Sequence, residues 1–183
     1  MKETLSTSGG TEIEGVQCRR LRRIEDARGS FTEVFRADWN LPIAPRQWSV
    51  VRSQSRVLRG MHLHRDHDEY FLLVEGRACV GLYDAREESG TYGSSCLLEF
   101  GEDEWVVLCF PSGILHGWYF YTDSVHLQAV SEHYGIYHPH DNHGCHWSDP
   151  ALKIAWPDPE PIISGRAAMF PPLSELSKSL HAG

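Results

Sequence analysis

The sequence predicts an all-β chain, a closed barrel or jelly roll of many short strands. Three observations carry that expectation. Aromatic and β-branched residues are plentiful while 16 glycines and 10 prolines are scattered along 183 residues, which favours short strands over long helices. Eight or more short apolar or alternating runs follow one another, each closed by a turn. No repeat or low-complexity segment interrupts them, and the length suits one domain with a real core.

Taken in order, residues 1–12 are small and polar around Ser6–Thr11, and a flexible N-terminal tail is expected there. A single domain is expected over 13–173. Val16–Ile24 is a basic, weakly alternating strand, Asp26–Ser30 a turn, and Phe31–Phe35 a strand of period two. Trp39–Pro45, with two prolines, is a loop. Gln47–Arg52 and Val57–His64 bracket a polar turn and suggest a hairpin, and Tyr70–Val74 reads as a buried strand ending at Glu75-Gly76. Ala78–Tyr83 alternates and leads into the polar loop Arg86–Gly93. Hairpins are also expected from Ser95–Phe100 with Glu104–Phe110, and from Gly117–Thr122 with Val125–Ser131. Trp105, Trp118, Tyr119 and Phe120 are expected to line the barrel. Leu152–Trp156 is a short strand, and Ser174–Leu180 forms a helical turn or two in a C-terminal tail, 174–183.

Composition narrows the function. A formal charge of −8 argues against nucleic acid as main partner, although a few placed arginines could still hold a nucleotide. No apolar stretch reaches the roughly 18–20 residues that span a bilayer, and residues 1–4 lack a signal-peptide layout. Five cysteines without a Cys-x-x-Cys suggest a reduced, cytoplasmic chain.

The chemistry concentrates in Val57-Leu58-Arg59-Gly60-Met61-His62-Leu63-His64, followed by Glu69 and Gly76. On a strand, His62 and His64 share a face. If the next strand pairs with theirs, Glu69 joins them, and Pro111-x-Gly113-x-x-His116 brings a third imidazole. Imidazole and carboxylate suit a divalent transition metal such as iron, zinc, nickel or manganese. The expected metal ligands are therefore His62, His64, Glu69 and His116. The competing reading is a metal-free polar pocket. His138, His140, His143 and His146 crowd a turn-rich segment and read as solvated loop histidines.

Several ordered motifs now point to a family. Asp26-x-Arg28-Gly29-x-Phe31-x-Glu33-x-Phe35, Val57-Leu58-Arg59-Gly60-x-His62, Tyr83-Asp84-x-Arg86-x-x-Ser89, Pro111-x-Gly113-x-x-His116-Gly117, Tyr137-x-Pro139, Trp147-x-Asp149-Pro150 and Ile163-Ser164 stand in sequence. From about Arg22 to Leu173 the chain resembles the dTDP-4-dehydrorhamnose 3,5-epimerase family of cupin-type jelly rolls. That resemblance implies an isomerase acting on a nucleotide-linked 4-keto sugar, and a homodimer whose N-terminal strand crosses to the partner. It also implies that His62 removes the proton alpha to the ketone and that Tyr137 returns one from the opposite face. Arg28, Arg59 and Gln47 would hold the nucleotide diphosphate, with Glu33, Arg86 and Arg166 as further substrate-binding candidates.

Three positions depart from the family pattern. Glu69 stands where the family has a lysine beside the enolate oxygen, Ala167 where it has an aspartate orienting the base, and His64 where it has glutamine. A carboxylate in the lysine's place repels an enolate, and loss of the orienting carboxylate lowers the basicity of His62. His64 and Glu69 together complete the wider cupin pattern of His-x-His, four residues, Glu, six residues, Gly. A metal there would take over the lysine's electrostatic role. Two alternatives accompany the epimerase or ketoisomerase reading: a metal-dependent cupin oxygenase or isomerase with a small non-nucleotide substrate, and an inactive sugar-nucleotide-binding module.

Overall fold

The computed structural model describes residues 7–8, 13–101, 103–137 and 140–181. Its strands are β1 (Thr7–Ser8), β2 (Gln17–Arg20), β3 (Arg23–Asp26), β4 (Gly29–Thr32), β5 (Gln47–Ser53), β6 (Leu58–Leu63) and β7 (Glu69–Glu75). They continue as β8 (Arg77–Asp84), β9 (Ser95–Gly101), β10 (Val106–Phe110), β11 (Ile114–Phe120), β12 (Ser124–Val130) and β13 (His143–Gly144), with helices α1 (Tyr134–Tyr137) and α2 (Leu173–His181). One sheet has the order β1-β9-β8-β11-β6-β13 and the other β2-β10-β7-β12-β5, with β3-β4 a separate two-stranded hairpin. The expected jelly roll is the fold found.

The pairing of the strands is not the one expected. β5 and β6, β6 and β7, β9 and β10, and β11 and β12 are neighbours in sequence, yet each pair is divided between the two sheets. None of the expected short hairpins forms there. The short turns carry the chain across the sandwich, and pairing is mostly with distant strands, as in β11 with β6 and β12 with β5. A turn motif favours reversal of direction but does not say whether the next strand pairs or crosses. Val16–Ile24 also divides into β2 and β3, and the expected strand at Leu152–Trp156 is absent: Pro150–Leu152 is a 3-10 turn capped by the Asp149 side chain.

Period-two alternation sets what faces the interior. From β7, Phe71 and Leu73 join Ile114, Trp118 and Phe120 of β11 in the core between the sheets. Trp118 stacks on Phe71 at 4.9 Å between centroids. Tyr70 and Leu72 face the other way and are still buried, because Val34, Phe35 and Leu41 cover that side. Burial on both faces explains the unbroken apolar run. The outer face of β6 and β11, with Met61, Leu63 and Leu115, is covered by Leu152, Leu173 and Leu176. The expected C-terminal tail is thus helix α2, docked on the barrel by its apolar side.

Gly60 serves the site directly. Its φ is +136°, and a Cβ there would stand 2.6 Å from the Gly117 Cα. The bare backbone lets β6 and β11 approach and sets His62 opposite His116 in register.

Candidate functional site

Inside the barrel, β6, the 64–68 segment, β7, β11 and β12 contribute polar side chains to an otherwise apolar interior. His64 follows β6, His67 lies in the connection, Glu69 opens β7 and His116 sits on β11; all four are buried. The carboxylate of Glu69 is the hub. Its Oε1 lies 3.5 Å from His64 Nε2, 3.5 Å from His67 Nε2 and 4.0 Å from His116 Nε2. Its Oε2 accepts a hydrogen bond from Gln128 Nε2 at 3.0 Å, which fixes the carboxylate's rotation.

Each imidazole is held from behind. His64 Nδ1 donates to the Asp141 carbonyl at 2.6 Å, His67 Nδ1 to Asp141 Oδ2 at 2.9 Å, and His116 Nδ1 to the Ile114 carbonyl at 3.0 Å. These oxygens only accept, so the proton sits on Nδ1 in each ring and Nε2 faces Glu69. The buried Asp141 also accepts from the Arg65 and Asp66 amides, so one residue organises the whole 64–67 segment. Burial, reinforced by His64 and His62, drives the basicity of His116 well below the histidine range. Burial likewise lowers His64. Burial opposes charge on His67 too, but Glu69 and Asp141 outweigh it and raise its pKa.

His62 stands apart. Its ring centroid is 6.4 Å from that of His64, 6.0 Å from His116 and 5.9 Å from Phe170. Burial first, then the charges of His64, Arg166 and Arg59, hold its pKa down to about 3. Ala167, where a carboxylate was expected to be missing, is a buried alanine in the 3-10 turn Ala167–Met169. The described residues give the His62 ring no hydrogen-bonded support.

Of the four expected metal ligands, the fold therefore draws His64, Glu69 and His116 together and leaves His62 outside. It brings in His67 instead: His64, His67 and Glu69 offer ligand atoms all within 4.8 Å of one another. The signal for His67 was present as His64-x-x-His67-x-Glu69, but the cupin spacing skips it. Asp141 and Gln128 carry no motif and meet the cluster only through folding. His126, also missed, is buried on β12 between Phe71 and Phe120, and neither ring nitrogen has a hydrogen bond; burial lowers its pKa to about 3.

The remaining candidates are placed as follows. Arg59 donates to Ser53 Oγ at 2.9 Å and to the Arg52 carbonyl at 3.1 Å, on the His62 strand. Arg166 donates to the Asn142 carbonyl at 2.7 Å and lies 5.2 Å from the Phe170 ring. Gln47 accepts from the Tyr134 amide at 3.0 Å. Arg28 pairs with Asp26 at the exposed tip of the β3-β4 hairpin, and Glu33 lies 3.5 Å from Arg36. Arg86 is taken up structurally. It forks onto the buried Asp84 at 2.9 and 2.8 Å and caps the Glu14 carbonyl, rather than turning to the histidines. Tyr137 ends α1, and its side chain, like all of His138, lies outside the described residues. Of the other loop histidines, His140 is exposed as expected, while His143 and His146 are half-exposed, His143 in β13 opposite Leu63 and His146 bonded to Ser148. A depression of about 370 Å³, lined by Leu63, Arg65, Arg86 and Leu180 among others, lies under α2 and includes none of the histidines.

Comparison with known proteins gives this arrangement a family. Residues 10–175 match the dTDP-4-dehydrorhamnose 3,5-epimerase family. The chain is 37% identical over 106 residues to the spore coat polysaccharide biosynthesis protein SpsL of Bacillus subtilis, covering 58% of this chain and 70% of that one. It is 29% identical over 161 residues to the dTDP-4-dehydrorhamnose 3,5-epimerase of Escherichia coli, covering 84% and 86%. Among solved structures it is similar to a 3'-monoepimerase from Streptomyces bikiniensis in complex with dTDP-quinovose. The TM-score is 0.83 at 25% identity, with 94% of this chain and 90% of that chain covered. The jelly roll, the ordered motifs and the match over nearly its whole length make this chain a member of the dTDP-4-dehydrorhamnose 3,5-epimerase family.

Proposed function

We propose that this protein is a sugar-nucleotide isomerase. It takes a nucleoside-diphosphate-linked 4-keto-6-deoxy sugar, removes a proton alpha to the carbonyl and returns one, as an epimerase or ketoisomerase. The observation that carries the reading is His62 on β6, under the electrostatic influence of Arg59 and Arg166, within a chain that matches the family from residue 10 to residue 175. The S. bikiniensis relative, solved with dTDP-quinovose, supports the substrate class.

The electrostatics suggest how His62 works. In the free protein it is neutral, and its nitrogens take no hydrogen bond from the described residues. Two positive charges nearby weaken it as a base. A diphosphate docking on Arg59 and Arg166 would neutralise those charges and raise its basicity, so that the base strengthens as substrate arrives. Tyr137 is the proposed acid on the opposite face. Arg28, Glu33 and Gln47 complete substrate binding in a homodimer, where the exposed hairpin of Arg28 can reach the partner. Ile24 and Phe31 on that hairpin and Trp48 and Val50 on β5 are exposed apolar side chains that a second subunit could cover. A cytoplasmic setting fits five unpaired cysteines.

The test is solvent exchange. Incubated in D2O with dTDP-4-keto-6-deoxyglucose, the protein should introduce deuterium beside the carbonyl, and His62→Asn should abolish it. No exchange across a panel of 4-keto sugar nucleotides that bind tightly would overturn the assignment. It would favour the binding-module reading, which Glu69 and Ala167 in place of the family's lysine and aspartate support. Oxygen uptake on a small non-nucleotide substrate would favour the oxygenase reading instead.

A further inference from the structure

We propose that His64, His67 and Glu69 form a binding site for one divalent first-row transition ion inside the barrel, with His116 Nε2, 4.0 Å from the Glu69 carboxylate, as a further donor that closes on the ion when it binds. The inference rests on the geometry of these side chains alone and holds whichever reaction the protein performs.

Orientation is the first support. Three histidines, two from the β6–β7 connection and one from β11, each give Nδ1–H to a fixed oxygen, two of them to the same residue, Asp141. Imidazoles so anchored turn Nε2 toward the Glu69 carboxylate, as metal-ligating histidines do when their outer nitrogen is tied to a carboxylate or carbonyl. Spacing is the second. Donors about 2.1 Å from a tetrahedral centre stand about 3.4 Å apart. The histidine nitrogens lie 3.5, 3.5 and 4.0 Å from Glu69 Oε1. These separations are long for hydrogen bonds and close to those of ligands around an ion.

The third support is charge. Glu69 Oε1 is buried and accepts no hydrogen bond, while its partner oxygen is held by Gln128. A carboxylate oxygen withdrawn from water needs positive charge beside it. A metal ion at the centre of the cluster supplies that charge to every donor at once. A proton on His67 is the competing occupant and would serve a single contact. Nitrogen and carboxylate ligands without thiolate suit zinc, iron(II), manganese or cobalt.

The ligand set is specific, because the cupin spacing would choose His62 and the fold chooses His67. Protein purified without a metal-chelating tag, then stripped and dialysed against Zn²⁺, Mn²⁺, Fe²⁺ or Co²⁺ in turn, should hold about one ion per chain for at least one of them. Cobalt should give a saturable visible absorption, and the bound ion should raise the melting temperature. His67→Gln and Glu69→Gln should lose the ion, Asp141→Asn should bind it roughly 10–100-fold more weakly, and His62→Asn should keep it. Failure of all four ions to bind stoichiometrically to folded wild-type protein overturns the site. So does a folded Glu69→Gln that keeps its ion. Loss in His62→Asn with retention in His67→Gln overturns the ligand set. If the Gln variants do not fold, the cobalt titration of the stripped wild type decides: no saturable spectrum ends the proposal.

Discussion

Two groups of imidazoles share one barrel interior and are held in opposite ways. His64, His67 and His116 are tethered through Nδ1 and converge on one carboxylate. His62 and His126 lie against aromatic rings, Phe170 for one and Phe71 and Phe120 for the other, with no hydrogen bond from the described residues. His126 is as buried as the tethered rings while His62 is half-buried, so burial alone does not sort them. The tether does: a ring anchored at one nitrogen has a fixed tautomer and direction, which suits coordination. An untethered ring can change partner and protonation state, which suits proton transfer.

The sharpest way to test this division is at His62. His62→Asn should lower kcat/KM by roughly 10²–10⁴-fold while leaving the melting temperature and the metal content unchanged. A parallel loss of stability would place His62 with the tethered group. Asp141→Ala should do the reverse at the level of folding. It leaves the buried His67 ring and the partly buried Arg65 and Asp66 amides without their acceptor, at a cost of about 3 kcal/mol in urea unfolding. A cost below about 1 kcal/mol would show that the tether is dispensable.

Phe170→Ala addresses what positions an untethered ring. Removing the aromatic face 5.9 Å from His62 should lower kcat by about tenfold with little change in KM. No change in kcat would mean that substrate alone orients the base.

The smallest effect expected is that of His126 on the pH dependence of stability. Its pKa, about 3 in the fold, lies below the unfolded value of 6.5, so the unfolded chain binds the extra proton between those limits. Stability from this group is present above pH 6.5 and falls by roughly 1 kcal/mol for each unit below it. His126→Leu should remove that slope in thermal melts between pH 6.5 and 4.5. An unchanged slope would mean that His126 is already protonated in the fold.

Much of this was readable in the sequence where the information is local. Apolar and alternating runs located β5 to β10 and β12 to within a residue or two, β11 begins three residues before the expected Gly117, and the Glu75-Gly76 turn proved to need φ +91° at the glycine. The ordered motifs were enough to identify the family. Pairing was not readable, because the same short turn serves a hairpin and a crossing between sheets. Only contacts between strands far apart in sequence decide which it is, as with β12 against β5. The exposed face of α2 hid its role in the same way, since Leu173 and Leu176 become core only once Met61 and Leu63 present a surface to them.

The site divides along the same line. Sequence by itself determined the residue types: a strand carrying His62 with His64 just beyond its end, a carboxylate at the next strand's start, and a distant third imidazole. Tertiary structure decided the grouping. Side chains on strands of different sheets meet only after the barrel closes, so His67 rather than His62 faces Glu69, and Asp141, more than seventy residues from His64 and His67, anchors both rings. Covalent spacing fixes which face a side chain takes on its own strand. The distance between faces is set by packing, and packing is a property of the whole fold.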